Sequence, residues 1–241
     1  MSSIENNIVD PAASSGDMKI FGHFYSQHYI ENKRSNEAGP LDPLEHKLLD
    51  FDSLHLSSPD TPFLMEELEK FSKFGDTWRD EFKSLRNLIH QLWSLHCVTK
   101  EALKWSPDIV VFARPDLTYH DNIKPYIRLA AKNRDIAMIP WWQHWGRGYN
   151  DRFAVVSGSR AIKAYGLRID NADKFCKTLE RSLHAELLLR FSLENNGIAP
   201  RLIRARASRT RSNGIVVSEN FRHVKIERAL RLVEKIRVTK K

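Results

Sequence analysis

The stretch "SPDIVVFARPDL", Ser106 to Leu117, decides the fold. Its apolar residues run unbroken from Ile109 to Ala113, and Arg114, Pro115 and Asp116 close them. A continuous apolar run after a long helical pattern reads as a strand buried on both faces, typical of a parallel sheet covered by helices. Two opposite charges around a proline at its exit are either a surface salt bridge or the rim of an active site. In open α/β sheets, ligands bind beyond the carboxyl ends of the strands. That rule favours the rim.

Working outward, strand and helix patterns alternate. Before the strand, Phe82, Leu85, Ile89, Leu92, Trp93 and His96 share one helical stripe in a segment that starts at Asp80, with Asp76 or Thr77 as its cap. After it, "DIAMIP" (Asp135–Pro140) and "RFAVVSG" (Arg152–Gly158) are short apolar strands. "SRAIKAYGLRIDNADKF" reads as a helix capped by Ser157 or Ser159. "SLHAELLLRFSLENNG" is a second helix, stopped by Asn195-Asn196-Gly197. "RLIRARAS" alternates as a strand does, and "SENFRHVKIERALRLVEKIRV" is a basic amphipathic helix. Upstream, Met18–Tyr25 is rich in β formers, and five prolines or glycines mark 26–62 as a long connection with short local structure. The expected organisation is a flexible leader (1–17), one α/β domain (18–210) and a basic C-terminal helix (211–241).

The net charge is +8. Residues 201–241 hold 13 Lys or Arg against 3 Glu, so this end carries +10 and the other 200 residues about −2. Such a segment suits nucleic acid, anionic lipid or an acidic partner, or simply a solvated helix face. No apolar run approaches the roughly 18 residues of a membrane span. The first residues lack the pattern of a signal peptide. Cys97 and Cys176 fit reduced thiols, so a cytoplasmic, at most membrane-peripheral, protein is expected.

Three clusters are candidates for chemistry. Arg114 can pair with a phosphate, and Asp116 can hold a hard cation beside a diphosphate. "PWWQHWGRGYNDRFA" (Pro140–Ala154) combines Trp142 and Trp145, able to stack on sugar rings, with Asn150, Asp151 and Arg152 just before a buried strand. His184 and Glu186 open a helix, where an anion or a capping acid is favoured.

In order and spacing, "SLRNLIHQLWSLHCVTKEAL", "DIVVFARPDL", "GYNDRFAVVSG" and "HAELLLRFSLENNGI" resemble a family of glycosyltransferase-like proteins, over roughly residues 76–210. The resemblance implies a GT-A-type fold: an open, mostly parallel sheet flanked by helices on both faces. It implies transfer of a sugar from a nucleotide-diphosphate donor to a glycan, lipid or protein acceptor. Carried over, Arg114 and Asp116 bind the donor, and Asp116 holds Mn²⁺ or Mg²⁺. Asn150 and Asp151 line the acceptor side, with His184 and Glu186 nearby. On the residues' own chemistry, Trp142, Trp145 and Arg152 join that side, Arg152 alternatively compensating donor charge or pairing with a core carboxylate, and an inverting transfer takes Asp151 or else Glu186 as general base. Two departures stand out. The family's strand end carries two acids where this chain has Arg114 and Asp116, and the family's first strand and Gly-rich turn have no counterpart before Met18, as in a shortened relative. The alternative is a non-catalytic relative that binds nucleic acid or an anionic membrane surface through its basic end. The aromatics at 141–145 lie far in sequence from that end, which speaks against a nucleic-acid groove.

Overall fold

The computed structural model describes residues 2–32 and 37–227. The chain opens with two short helices, α1 (Ser2–Ile4) and α2 (Asp10–Ala13), joined through a π turn at Glu5–Val9. Then follow β1 (Phe21–Tyr25), β2 (Tyr29–Asn32), β3 (Glu37–Pro40), β4 (Ser53–Ser57), α3 (Pro62–Ser72) and α4 (Lys83–Lys104). The second half holds β5 (Ile109–Phe112), β6 (Leu117–Tyr119), α5 (Lys124–Ala131), β7 (Ile136–Pro140) and β8 (Ala154–Ser157). It ends with α6 (Ser159–Gly166), α7 (Ala172–Leu179), α8 (Ala185–Asn195), β9 (Arg201–Ile203) and β10 (Ala207–Arg209).

The class is α/β, with small open sheets. The main sheet has the order β5-β8-β7-β9. β8 is antiparallel to both its neighbours, and only β7 and β9 pair in parallel. The mostly parallel ladder expected from the sequence is therefore corrected to a mixed one. A parallel β7–β8 pair would need a crossover helix, and the link from Trp141 to Phe153 holds only one short 3₁₀ turn (Trp145–Arg147). Even so, β5, β7 and β9 all point one way, because β5 and β7 both oppose β8.

Both faces of this sheet are covered, as the apolar run implied. Ile109, Val111, Met138 and Val155 pack with Ile123, Ile127 and Ala130 around α5. The alternate residues Val110, Phe112, Ala137, Ile139, Ala154 and Val156 pack with α6 and with Leu189 and Leu193 of α8. A third apolar cluster joins α3, α4, α7 and the start of α8 through Phe71, Leu85, Ile89, Leu92, Phe175 and Leu188.

Several expected segments are corrected. The leader is not loose: Ile8 is buried in the core with Ile4 and Ala12 beside it, and Asn7 donates Nδ2 to Tyr119 O at 2.9 Å. The long connection holds the short local structure expected of it: β4 pairs in parallel with β1, and β2 with β3 in antiparallel fashion. The helix expected over 159–175 breaks after Gly166 into a 3₁₀ turn (Arg168–Asn171) and α7. "RLIRARAS" is two strands in different sheets: β9 joins β7, and β10 pairs with β6. Of the expected C-terminal helix, 211–223 is not helical, 224–227 is, and the remainder lies outside the described residues.

A candidate active site at the strand ends

The common direction of β5, β7 and β9 brings their exits to one edge of the sheet, together with the entry to β8. The register Phe112↔Ala154 sets "ARPD" beside "NDRF". The structure thus gathers Arg114, Asp116, Asp151 and Arg152, which are far apart in sequence.

Arg114 and Asp116 form a clamp. Arg114 Nε donates to Asp116 Oδ1 at 2.9 Å and Nη2 to Oδ2 at 2.7 Å. Tyr119 fixes the turn: its hydroxyl accepts from Arg114 N at 2.8 Å and donates to Arg114 O at 3.1 Å. Burial pushes the Tyr119 phenol well above its ordinary range. Desolvation would also raise the Asp116 carboxyl, but the Arg114 charge and hydrogen bonds outweigh it and hold Asp116 below its usual value. Both oxygens of Asp116 accept from Arg114, so a cation there would share the carboxylate with the guanidinium. Among the described residues, no group of three His, Cys, Asp or Glu side chains converges as a metal site.

Asp151 faces inward. Its Oδ2 accepts from Gln91 Nε2 at 3.2 Å and lies 3.4 Å from Nη2 of Arg168, whose side chain is 1% exposed. Arg168 Nη1 donates to Tyr165 O at 2.9 Å, while its buried Nε has no hydrogen-bond partner. Asn150 is a buried turn residue: Nδ2 donates to Trp142 O at 2.7 Å and Oδ1 accepts from Arg152 N at 3.1 Å. The expected acceptor contact at Asn150 gives way to this backbone role. Trp142 is likewise corrected. It is fully buried, with Nε1 donating to Ala205 O at 2.9 Å.

Arg152 is held by residues that sequence reasoning missed. Nη1 donates to Glu219 Oε1 at 2.7 Å and Nη2 to Gln143 Oε1 at 2.7 Å. Gln143 Nε2 donates to Glu219 Oε2 at 2.6 Å, and Arg209 Nε to Glu219 Oε1 at 3.0 Å. The Glu219 side chain is only 3% exposed. Burial would raise its carboxyl, yet the hydrogen bonds from Arg152, Gln143 and Arg209 and the Arg152 charge hold it at about 2. The segment 211–223 is thereby strapped to the strand ends. Arg152 is accordingly an anchor for that strap, and the expected acceptor contact is not what its geometry displays. Glu219 lies 67 residues from Arg152, and no local pattern announces such a partner.

His184 and Glu186 stand at the start of α8, apart from the clamp. His184 Nδ1 lies 3.2 Å from Glu186 Oε2 without the alignment of a hydrogen bond, and its ring stacks on Trp78 at 6.0 Å between centroids. The loop bearing Trp145, which is exposed, presses on this helix start: Tyr149 N donates to Glu186 O at 2.9 Å. Gly148 allows that approach, since a methyl group there would overlap the Glu186 main chain.

The aromatic and basic segments do meet in space. Trp141 leaves β7 beside Arg204, whose guanidinium lies 4.8 Å from its ring. The sequence separation that weighed against a basic–aromatic groove is overcome by the β7–β9 pairing.

Comparison with family models, curated proteins and solved structures finds no match. Among the described residues, no helix is long and apolar enough to cross a membrane.

Proposed function

We propose that the protein is a glycosyltransferase that moves a sugar from a nucleotide-diphosphate donor to a hydroxyl acceptor, on a GT-A-like sheet. The observation that carries this reading is the adjacency of the Arg114–Asp116 clamp and Asp151 across the β5–β8 pair. The order of three co-directed strands with β8 running against them is compatible with it.

Arg114 meets the donor diphosphate. Its clamp uses Nε and Nη2, so Nη1 is the nitrogen left for a phosphate oxygen. Asp116 orients the guanidinium. This division of labour suits a strand tip with one acid, where a cationic side chain neutralises the departing diphosphate. A divalent ion remains part of the test. In an inverting transfer, a base takes the acceptor proton as its oxygen bonds to the anomeric carbon and the nucleoside diphosphate leaves. Both contacts of the Asp151 carboxylate fall on Oδ2, so Oδ1 is the atom for that proton, worth a factor of roughly 10²–10⁴. Glu186 is the second candidate. A retaining transfer needs no such base.

The test is a thermal-shift titration with nucleoside diphosphates and nucleotide sugars, with and without Mn²⁺. Ligand at 100 times its Kd adds roughly 2.7 kcal/mol, and Arg114→Ala removes the shift. If every nucleotide leaves the melting temperature unmoved, the donor reading is lost. One observation favours a second reading, a non-catalytic binder of nucleic acid or an anionic surface: Arg204 stacked on Trp141 at the basic end.

A further inference from the structure

Past the β5–β8 tip, the same sheet edge ends in a cleft. The register Pro140↔Ile203 brings Trp141 and Arg204 out of the sheet side by side, and Trp141 N donates to Ile203 O at 2.9 Å. The break between β9 and β10 makes a corner of Arg204 to Arg206. Trp141, Arg204 and Arg206 line a cleft of about 470 Å³ with Asp121 and with Tyr126 of α5.

The charges in this cleft are unequal. Arg206 grips Asp121 through Nε and Nη2, each at 2.9 Å, and its backbone N–H adds a bond to Oδ2 at 2.8 Å. These bonds, burial notwithstanding, hold the Asp121 carboxyl below its ordinary value. Arg204 has no carboxylate partner among the described residues and touches the Trp141 ring instead. The cation left over is therefore Arg204, on an exposed corner. The indole is fixed beneath it. Trp141 Nε1 donates to Phe221 O at 3.1 Å, and the His223 ring meets it edge-on at 5.0 Å.

We propose that this cleft binds a sugar ring carrying an anionic group, phosphate or carboxylate, an inference that stands on the cleft alone and not on the transferase reading. Aromatic faces pack against the apolar side of a sugar ring. A guanidinium pairs with a phosphate or carboxylate in a fixed, two-pronged geometry. The cleft is open to solvent, so a ligand would lie across the indole rather than be enclosed. One fixed indole and one tyrosine also offer a short platform, whereas a nucleic-acid strand needs a track of stacking sites.

The experiment is calorimetric titration of the full chain with glucose 6-phosphate, glucuronate, glucose, inorganic phosphate and an oligothymidylate. Glucose 6-phosphate or glucuronate is expected to bind at least ten times more tightly than glucose and than inorganic phosphate. Which of the two wins identifies the anion. Arg204→Ala is expected to weaken that binding at least tenfold and to leave the nucleotide-induced thermal shift in place. Arg204→Gln serves as the second variant. Equal binding of glucose and its phosphate, or no loss in either Arg204 variant, overturns the proposal. Tight, steeply salt-dependent oligothymidylate binding without sugar binding also overturns it and makes the cleft a nucleic-acid surface. Anionic-sugar binding without any nucleotide shift keeps the cleft and removes the transferase reading.

Discussion

Arg152 and Arg204 leave the same edge of the same sheet, yet they live in different surroundings. Arg152 is enclosed: Glu219, Gln143 and the Trp142 ring surround its guanidinium. Arg204 sits on an open corner over one indole. The contrast separates two uses of a basic residue at a strand end. Where a carboxylate of the same chain arrives and water is excluded, the arginine holds the fold. Where no carboxylate of the described residues arrives, as at Arg204, the charge remains available to a ligand. Net charge counts both kinds alike: within the +10 of the C-terminal segment, Arg206 and Arg211 are held by Asp121 and Glu37 from outside it.

The largest expected effect falls on the enclosed side. Glu219→Ala leaves Arg152 and Arg209 without their shared carboxylate, and breaking a buried ion pair from one side costs about 3–5 kcal/mol. Urea denaturation reads it directly. A loss below about 1 kcal/mol would mean that the strap does not seat on the strand ends, and the comparison would collapse.

Next comes pH. Glu219 is held at about 2 in the folded chain against an ordinary 4.5. A depressed carboxyl stabilises the fold above its unfolded pKa, and that stability fades as pH falls through the folded one. About 3 kcal/mol should therefore disappear between roughly pH 5 and pH 2. Glu219→Gln should flatten that part of the stability–pH curve. An unchanged curve would place the acid sensitivity elsewhere.

The sequence made some of this legible, and the reasons are physical. The strands β5, β7 and β8 announce themselves because their alternate residues pack on opposite faces of the sheet, so both sets must be apolar. The end of α8 was legible because Gly197 takes a left-handed φ of 66°, and Ile198 N then reaches back to Leu193 O at 2.9 Å. The seat of the N-terminal segment was missed, although Ile4, Ile8 and Ala12 recur every four residues, which is helical spacing. The direction of β8 was missed because composition sets burial, while the length and content of a connection set direction. Trp142 and Trp145 look alike in sequence, and one is core while the other is exposed. The Arg152–Glu219 pair had no local signature at all, since long-range pairing leaves no spacing to read.

A smaller effect tests how the two sides are joined. Gly148 lies where the loop after β7 crosses the first turn of α8, against the Glu186 main chain. Backbone cannot yield as a side chain can. Gly148→Ala should cost about 1–3 kcal/mol, and it should move Trp145 relative to His184. Denaturation measures the first, and nuclear magnetic resonance shifts of the His184 ring the second. A neutral Gly148→Ala would show that the loop relaxes freely and does not position the α8 start.

The smallest effect on stability carries the sharpest functional contrast. Asp116 is paired with Arg114 as Glu219 is paired with Arg152, but the Asp116 side chain is 45% exposed. An exposed pair is worth at most about 1 kcal/mol. If the clamp only closes a strand exit, Asp116→Asn changes little of anything. If it aims the guanidinium at a diphosphate, Asp116→Asn keeps the melting temperature of the free protein within a few degrees and loses the nucleotide-induced shift. The same substitution at the enclosed pair, Glu219→Gln, should do the reverse, lowering the melting temperature and keeping whatever nucleotide binding the folded fraction has. Measured together, the two variants ask whether exposure divides the strand-end charges by role. Parallel behaviour of the pair, in either direction, would show that it does not.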